Sequence, residues 1–430
     1  MEFPLTSRRG LRHVSGMTTW PLFRALSLGT SLAFLGSVDS GAADWPHWRG
    51  PSRDGLSTES GWSVAWPKDG PRKLWEARVG TGFSSVSVSG GRAYTIGNSN
   101  DKDTVYCFDA NTGAELWKQS YDEPLDSHFY EGGASSTPTV AGDAVYVLSR
   151  KGRIARYESA SGKIVWEKNI ARETGAAVPE WGFAGSPLVE GASLLFNVGS
   201  FGTAVDAATG KLLWTTGKEA SGYATPVPYT ASGTRAVLCF AAKALVAVSV
   251  KDGKELWRFP WVTSYDVNAA DPIIAGDRVF LSSGYGRGAA LLRVEGHQVT
   301  KLWENKHLRN QFNSSVLIGG HLYGLDDNHG DKSSNLRCVE LETGVVKWKE
   351  PSVRPGGLIA ADGKLIAVSD KGELVICAAA PDAFQPLARA QVLGGKCWTT
   401  PTLAHGRIYL RNSKGTVVCL DVKNAPTAAQ

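Results

Sequence analysis

Methionine is nearly absent, at 2 of 430 residues, and histidine is scarce, at 8. The 6 cysteines include no adjacent pair, no C-x-x-C and no C-x-x-C-H. A vicinal disulfide and a covalently attached c-type haem are therefore excluded, and the spacing counts against a thiolate zinc site. No block of Lys and Arg occurs beyond the leader. Of the formal charge of +5, Arg8, Arg9, Arg12 and Arg24 against Glu2 and Asp39 place +2 in residues 1–43, leaving +3 for the rest. So small a surplus excludes a nucleic-acid footprint. The apolar stretch from Ala25 to Val38 falls short of the ~20 residues of a membrane-spanning helix. No Ser/His/Asp order, histidine-rich metal spacing or phosphate-cradling glycine loop stands out, so no catalytic residue and no metal ligand is assigned.

Glycine and tryptophan are abundant, at 49 and 15. Many turns with many recurring aromatic anchors point to an all-β array. Residues 1–43 read as an export signal peptide: a basic start around Arg8-Arg9, the apolar stretch, then Gly41-Ala42-Ala43 as the cleavage site. The Arg8-Arg9 pair leaves general and twin-arginine export both open. The first cysteine is Cys107, so the cleavage point offers no lipid-anchor cysteine. The expectation is a periplasmic or secreted monomer with no transmembrane segment in the mature chain.

One pattern organises the remainder, Ala-x-Asp-x-x-Thr-Gly-x-x-x-Trp, best seen from Ala204 to Trp214. Its tryptophans fall at 75, 117, 166, 214, 257, 303 and 348, at intervals of 42 to 49 residues, and Ala388 stands near the eighth position. A second ladder of Ser/Thr-Pro-like steps opens each unit: Ser85-Val86, Thr137-Pro138, Ser186-Pro187, Thr225-Pro226, Asp271-Pro272, Ser315-Val316, Gly357-Leu358 and Thr400-Pro401. A third ladder is Gly-x-hydrophobic-Tyr, as in Gly91 to Tyr94 and Gly406 to Tyr409. Each unit decodes into four short strands, because Asp and Gly mark tight turns and β-rich runs lie between them. Four strands per period of this length select a β-propeller. The fold expected is all-β: an eight-bladed β-propeller of four-stranded antiparallel blades over residues 74–424. It is closed by an N-terminal strand, Leu74 to Val79, that completes the last blade. Residues 44–73 are expected to form a strap across one face, and 425–430 a disordered tail. Cys107, Cys338, Cys377 and Cys419 recur within apolar strand patterns and read as buried small side chains.

This repeat resembles the tryptophan-docking motif of the quinoprotein-type, or PQQ-like, β-propeller family, over residues 74–424. One branch of that family holds dehydrogenases that use pyrroloquinoline quinone (PQQ). Another holds non-catalytic propellers similar to the outer-membrane assembly protein BamB. The resemblance implies that Trp117, Trp166, Trp214, Trp257, Trp303 and Trp348 pack between neighbouring blades. It implies two functions: a non-catalytic binding or scaffolding protein of the BamB kind, without a cofactor, or a PQQ-dependent oxidoreductase with a reduced site and Ca²⁺. The missing Cys-Cys pair counts against the second, since that pair forms half of the quinone sandwich in the dehydrogenases.

In a propeller the loops entering the innermost strands crowd one mouth of the channel. The candidate contact residues there are His128, Tyr130, Glu131, Trp181, Phe183, Tyr223, Asp266, Asn268, Asp271, Asn313 and Trp398. This mixture of aromatics, amides and acids suits carbohydrate, peptide or cofactor contact; with the resemblance, the partner expected is an envelope protein, a peptide or a glycan. Asp271 replaces Ser/Thr at its step, so its carboxylate points toward the axis, either to bind a cation or to accept backbone N–H groups. The run Asp326-Asp327-Asn328-His329-Gly330-Asp331 lacks the ligand spacing of a calcium loop and reads as a polar hairpin.

Overall fold

A computed structural model describes residues 43–327 and 333–423. Residues 1–42, where the signal peptide is expected, residues 328–332 and residues 424–430, which include the expected disordered tail, lie outside the described residues. Eight four-stranded antiparallel sheets follow one another along the chain. The innermost strands of blades one to four are Ser87–Ser89, Thr139–Ala141, Leu188–Glu190 and Val227–Ala231. Those of blades five to eight are Ile273–Ala275, Val316–Ile318, Gly357–Ala361 and Thr402–Ala404. The outer strand of blade eight comes from the other end of the chain. Lys73–Arg78 pairs antiparallel with Thr416–Asp421, one residue earlier than the sequence pattern suggests.

The repeat works as a seam lock. In the turn, Asp109 Oδ1 accepts the backbone N–H groups of Asn111 and Thr112 at 2.9 and 2.8 Å, and Gly113 takes a φ of 74°. Trp75 lies on that glycine: a Cβ there would stand 2.6 Å from the indole. The Trp75 N–H donates to Ala110 O at 3.1 Å. The same bond runs from Trp117 to Ser159, Trp166 to Ala207, Trp214 to Val250, Trp303 to Leu341 and Trp348 to Ala380. Trp257 departs from this pattern. It meets Tyr229 edge-on at 5.8 Å, and its buried N–H finds no carbonyl. Ala388 pairs with Ile376 in the register that holds tryptophan elsewhere. At that seam the strap's Trp62 and Trp66 join the apolar cluster that contains Ala388 and Val422. All six cysteines are buried and unpaired.

Around the axis the step residues form a belt. The backbone N–H of Ser85 donates to Thr137, that of Thr137 to Ser186 and that of Ser186 to Thr225, at 2.9–3.0 Å. Thr225 N–H continues to Asp271 Oδ1 at 2.9 Å, and Asp271 N–H to Ser314 Oγ at 2.8 Å. The sixth step is thus Ser314-Ser315, not Ser315-Val316. Ser315 Oγ instead donates to Asn310 Oδ1. Gly357 supplies no side chain, so Asn313 spans blade seven. It donates to Gly356 O and accepts from Thr400 Oγ1 at 2.8 Å. Ser85 Oγ closes the circle on Thr400 O at 2.6 Å.

The strap does more than cross one face. Trp45 exchanges two backbone hydrogen bonds with Val88 of blade one, and Pro46 O accepts from Val140 of blade two. Arg49 donates to Ser315 O of blade six at 2.8 Å. Leu56–Ser57 adds a parallel fifth strand to blade seven. The Glu59 carboxylate caps the Gly406 N–H of blade eight at 2.8 Å. Strap residues therefore reach the inner strands on both sides of the ring and plug the channel at one end.

Candidate functional site

The plug leaves a blind cup at the other end, a cavity of about 610 Å³. Its wall is built mainly by the loops that lead from the outer strand of one blade to the inner strand of the next. A simple register governs the inner ring. Phe83, Ser135, Ala184, Tyr223, Ala269, Phe312 and Trp398 all line the cup. Each stands two residues before a belt residue, and alternate residues of an extended chain face the same way. Trp48 of the strap also lines it and supplies the floor.

Two aromatic ladders occupy opposite arcs. On one, Phe312 stacks on Trp398 at 4.8 Å, Trp398 on Phe83 at 5.9 Å, and Phe83 meets Tyr130 at 5.7 Å. On the other, Tyr223, Trp181, Tyr265 and Tyr285 follow at centroid separations of 6.0, 6.0 and 5.6 Å. Phe129 and Tyr265 are 75% and 66% exposed on backbone with φ of 68° and 60°. Bulky residues rarely adopt that conformation, and strain of this kind concentrates at ligand-contacting positions.

Of the candidate residues, Tyr130, Trp181, Tyr223, Asp271 and Trp398 line the cavity. The other six stand elsewhere. Phe183 is buried in the core between blades two and three. Asn268 is a buried hub whose amide donates to Ala241 O and Ala242 O at 2.9 Å. Asn313 belongs to the belt. Glu131 pairs with Lys396 at 2.8 Å, His128 is exposed beside Phe129, and Asp266 is half-buried beside Tyr265. Reading along the chain overlooked Trp48, Phe83, Phe129, Tyr265, Tyr285 and Phe312. The two-residue offset from the belt was the available signal for Phe83 and Phe312. Tyr285 comes from a loop inside blade five, and nothing local marks it.

Asp271 accepts the Thr225 N–H on Oδ1 and the Trp48 indole N–H on Oδ2, the latter at 2.7 Å, with Arg49 Nε at 3.9 Å. Burial raises its pKa, and Arg49 opposes the shift. Its oxygens are thus committed to donors on the chain itself. Asp326 is likewise spoken for, by Arg309 and Arg337, each at 2.6 Å. Residues 328–332, where the sequence reads as a polar hairpin, lie outside the described residues.

PQQ carries three carboxylates, so a protein that holds it needs cations and a hard-oxygen calcium site. No Lys or Arg lines this cup. No group of three His, Cys, Asp or Glu side chains converges among the described residues. The residues present do not fit the quinone or its calcium.

An eight-bladed ring with indoles locking its seams defines the PQQ-like class of propellers. The sequence profile of the family described as "Outer membrane protein assembly factor BamB" matches residues 57–179, 101–350 and 332–428, and the chain belongs to that family. It is 22% identical over 372 residues to the outer membrane protein assembly factor BamB of Yersinia pestis, covering 81% of this chain and 88% of that one. Two solved structures share the fold. BamB from Moraxella catarrhalis superposes with a TM-score of 0.60 at 13% identity, over 82% of this chain and 99% of its own. A quinohemoprotein alcohol dehydrogenase from Comamonas testosteroni gives 0.66 at 15% identity, over 91% and 83%.

Proposed function

We propose that this chain is an exported, non-catalytic propeller that binds or scaffolds a partner in the cell envelope through the aromatic cup. Outer-membrane protein assembly, the process named for its relatives, is the candidate role. The cup carries the reading: ten of its lining side chains are aromatic, and its carboxylates are Glu180 and the committed Asp271. That lining provides surface for contact and no nucleophile paired with a base. The signal-like leader and the family's name support a periplasmic or secreted location.

The test is capture from an envelope extract with the wild-type chain and with a Trp181→Ala/Trp398→Ala double variant. Partners retained by the first and lost by the second are expected. Identical partners on both would remove the cup as the contact surface. In parallel, PQQ with Ca²⁺ is expected to give no saturable binding and no dye reduction with alcohols or sugars. Turnover would replace this reading with the oxidoreductase.

A further inference from the structure

Resting on the cup as the contact site, we propose that its ligand is an organic cation: an alkylammonium or guanidinium group carried on an apolar body. The sign of the lining carries this. Aromatic faces present negative potential. Ten aromatic side chains line the cavity, no Lys or Arg does, and Glu180 stands exposed on its wall. Glu180 and Asp266 lie close enough to act on the phenol of Tyr223, and Glu180 on that of Tyr285, so the ladder holding Trp181 and Tyr265 is the acidic arc.

The opposite arc shows what these rings accept. Lys396 Nζ sits 4.1 Å from the Trp398 ring centroid, and the Arg150 guanidinium 5.5 Å from that of Tyr130. Both cations are neutralised by their own acids, Glu131 and Asp126, and neither lines the cavity. The acidic arc has equivalent rings and carboxylates with no basic side chain on the lining, so the cation is to be supplied from outside. An anionic ligand meets aromatic faces and Glu180, with no basic side chain on the lining. A neutral sugar gains stacking but leaves the acidic arc unused. At about 610 Å³ the cup holds more than a bare ammonium group, which is why an apolar body accompanies the charge.

The experiment uses the full mature chain, with tryptophan fluorescence and calorimetry as readouts. The probes are choline, a tetrapeptide bearing one trimethyllysine, the neutral choline isostere 3,3-dimethylbutan-1-ol, a cello-oligosaccharide and PQQ. The two cations distinguish a free ligand from a peptide-borne one. At least one cation is expected to bind about tenfold more tightly than the isostere. Glu180→Gln is expected to weaken it severalfold, and Tyr265→Ala by about tenfold with an unchanged Tm, because that ring is largely exposed. The proposal is overturned if the isostere binds equally well, if the sugar or PQQ binds more tightly, or if neither cation saturates by about 10 mM. Should the cations fail while envelope capture still depends on Trp181 and Trp398, the contact site stands and only the ligand class falls.

Discussion

His47, Trp48, Arg49 and Arg53 reach the axis within seven residues and are held there by opposed charges and burial. Arg49 and Arg53 both act on Asp271. Burial and the nearby Arg53 push the His47 imidazole from 6.5 down to about 3, and its Nδ1 is buried without a partner. The consequence for stability has a definite sign. Above pH ~6.5 both folded and unfolded chains carry the neutral ring and nothing is lost. As the pH falls from there toward 3, the unfolded chain takes a proton that the native site refuses. Each pH unit in that window removes about 1.4 kcal/mol. Between pH 7 and pH 5 the wild type is therefore expected to lose about 2 kcal/mol more than His47→Gln in urea denaturation. Parallel losses in the two chains would mean that the imidazole protonates freely in the strap.

At the scale of the strand and turn, the outer strand of every one of the eight blades carries a bulge one residue before the indole position. Leu116, Val165, Leu213, Leu302 and Leu387 fall at these bulges and are turned outward. An extra residue twists the strand, and here it sets the next side chain onto the neighbouring turn. The glycine in that turn is needed twice, for its positive φ and for the ring above it. At Gly113 a Cβ would meet Trp75 at 2.6 Å, whereas at Gly142, also with positive φ, it would meet nothing within 4 Å. Gly142→Ala is expected to cost about 1 kcal/mol, from backbone conformation alone. Gly113→Ala should cost about 2–4 kcal/mol, because the indole must also move. Thermal unfolding of the two variants separates the contributions, and equal costs would show that the seam repacks freely.

For the whole molecule, closure joins the two ends of the chain. Lys73–Arg78 covers the edge of Thr416–Asp421, and the strap ties blades seven and eight where Ala388 replaces an indole. Without residues 44–79 the ring would present an unpaired strand edge and an open channel. An unpaired edge recruits other chains. Sedimentation velocity should show a chain starting at residue 44 as a monomer, and one starting at residue 80 as associated or unfolded. A monomeric, cooperatively unfolding chain from residue 80 would show that the ring closes without its N-terminal strand.

The blade count and the closing strand could be read from local marks. Asp109 to Trp117 carries its turn and its indole within one hairpin, and seven further units keep enough of that pattern to be counted. Even the missing indole at Ala388 was visible as a gap. Half of the cup could not be read this way. Phe83 and Trp398 lie near opposite ends of the chain and stack only because the ring closes. Tyr285 arrives from a hairpin inside a blade, and Asn268 and Phe183 turn inward to satisfy the core. The strap's path was hidden for the same reason: nothing around Trp48 announces Asp271 as its partner. Periodic local chemistry determines how many blades form. Only the assembled wheel decides which side chains share its axis, because their distances depend on every blade at once.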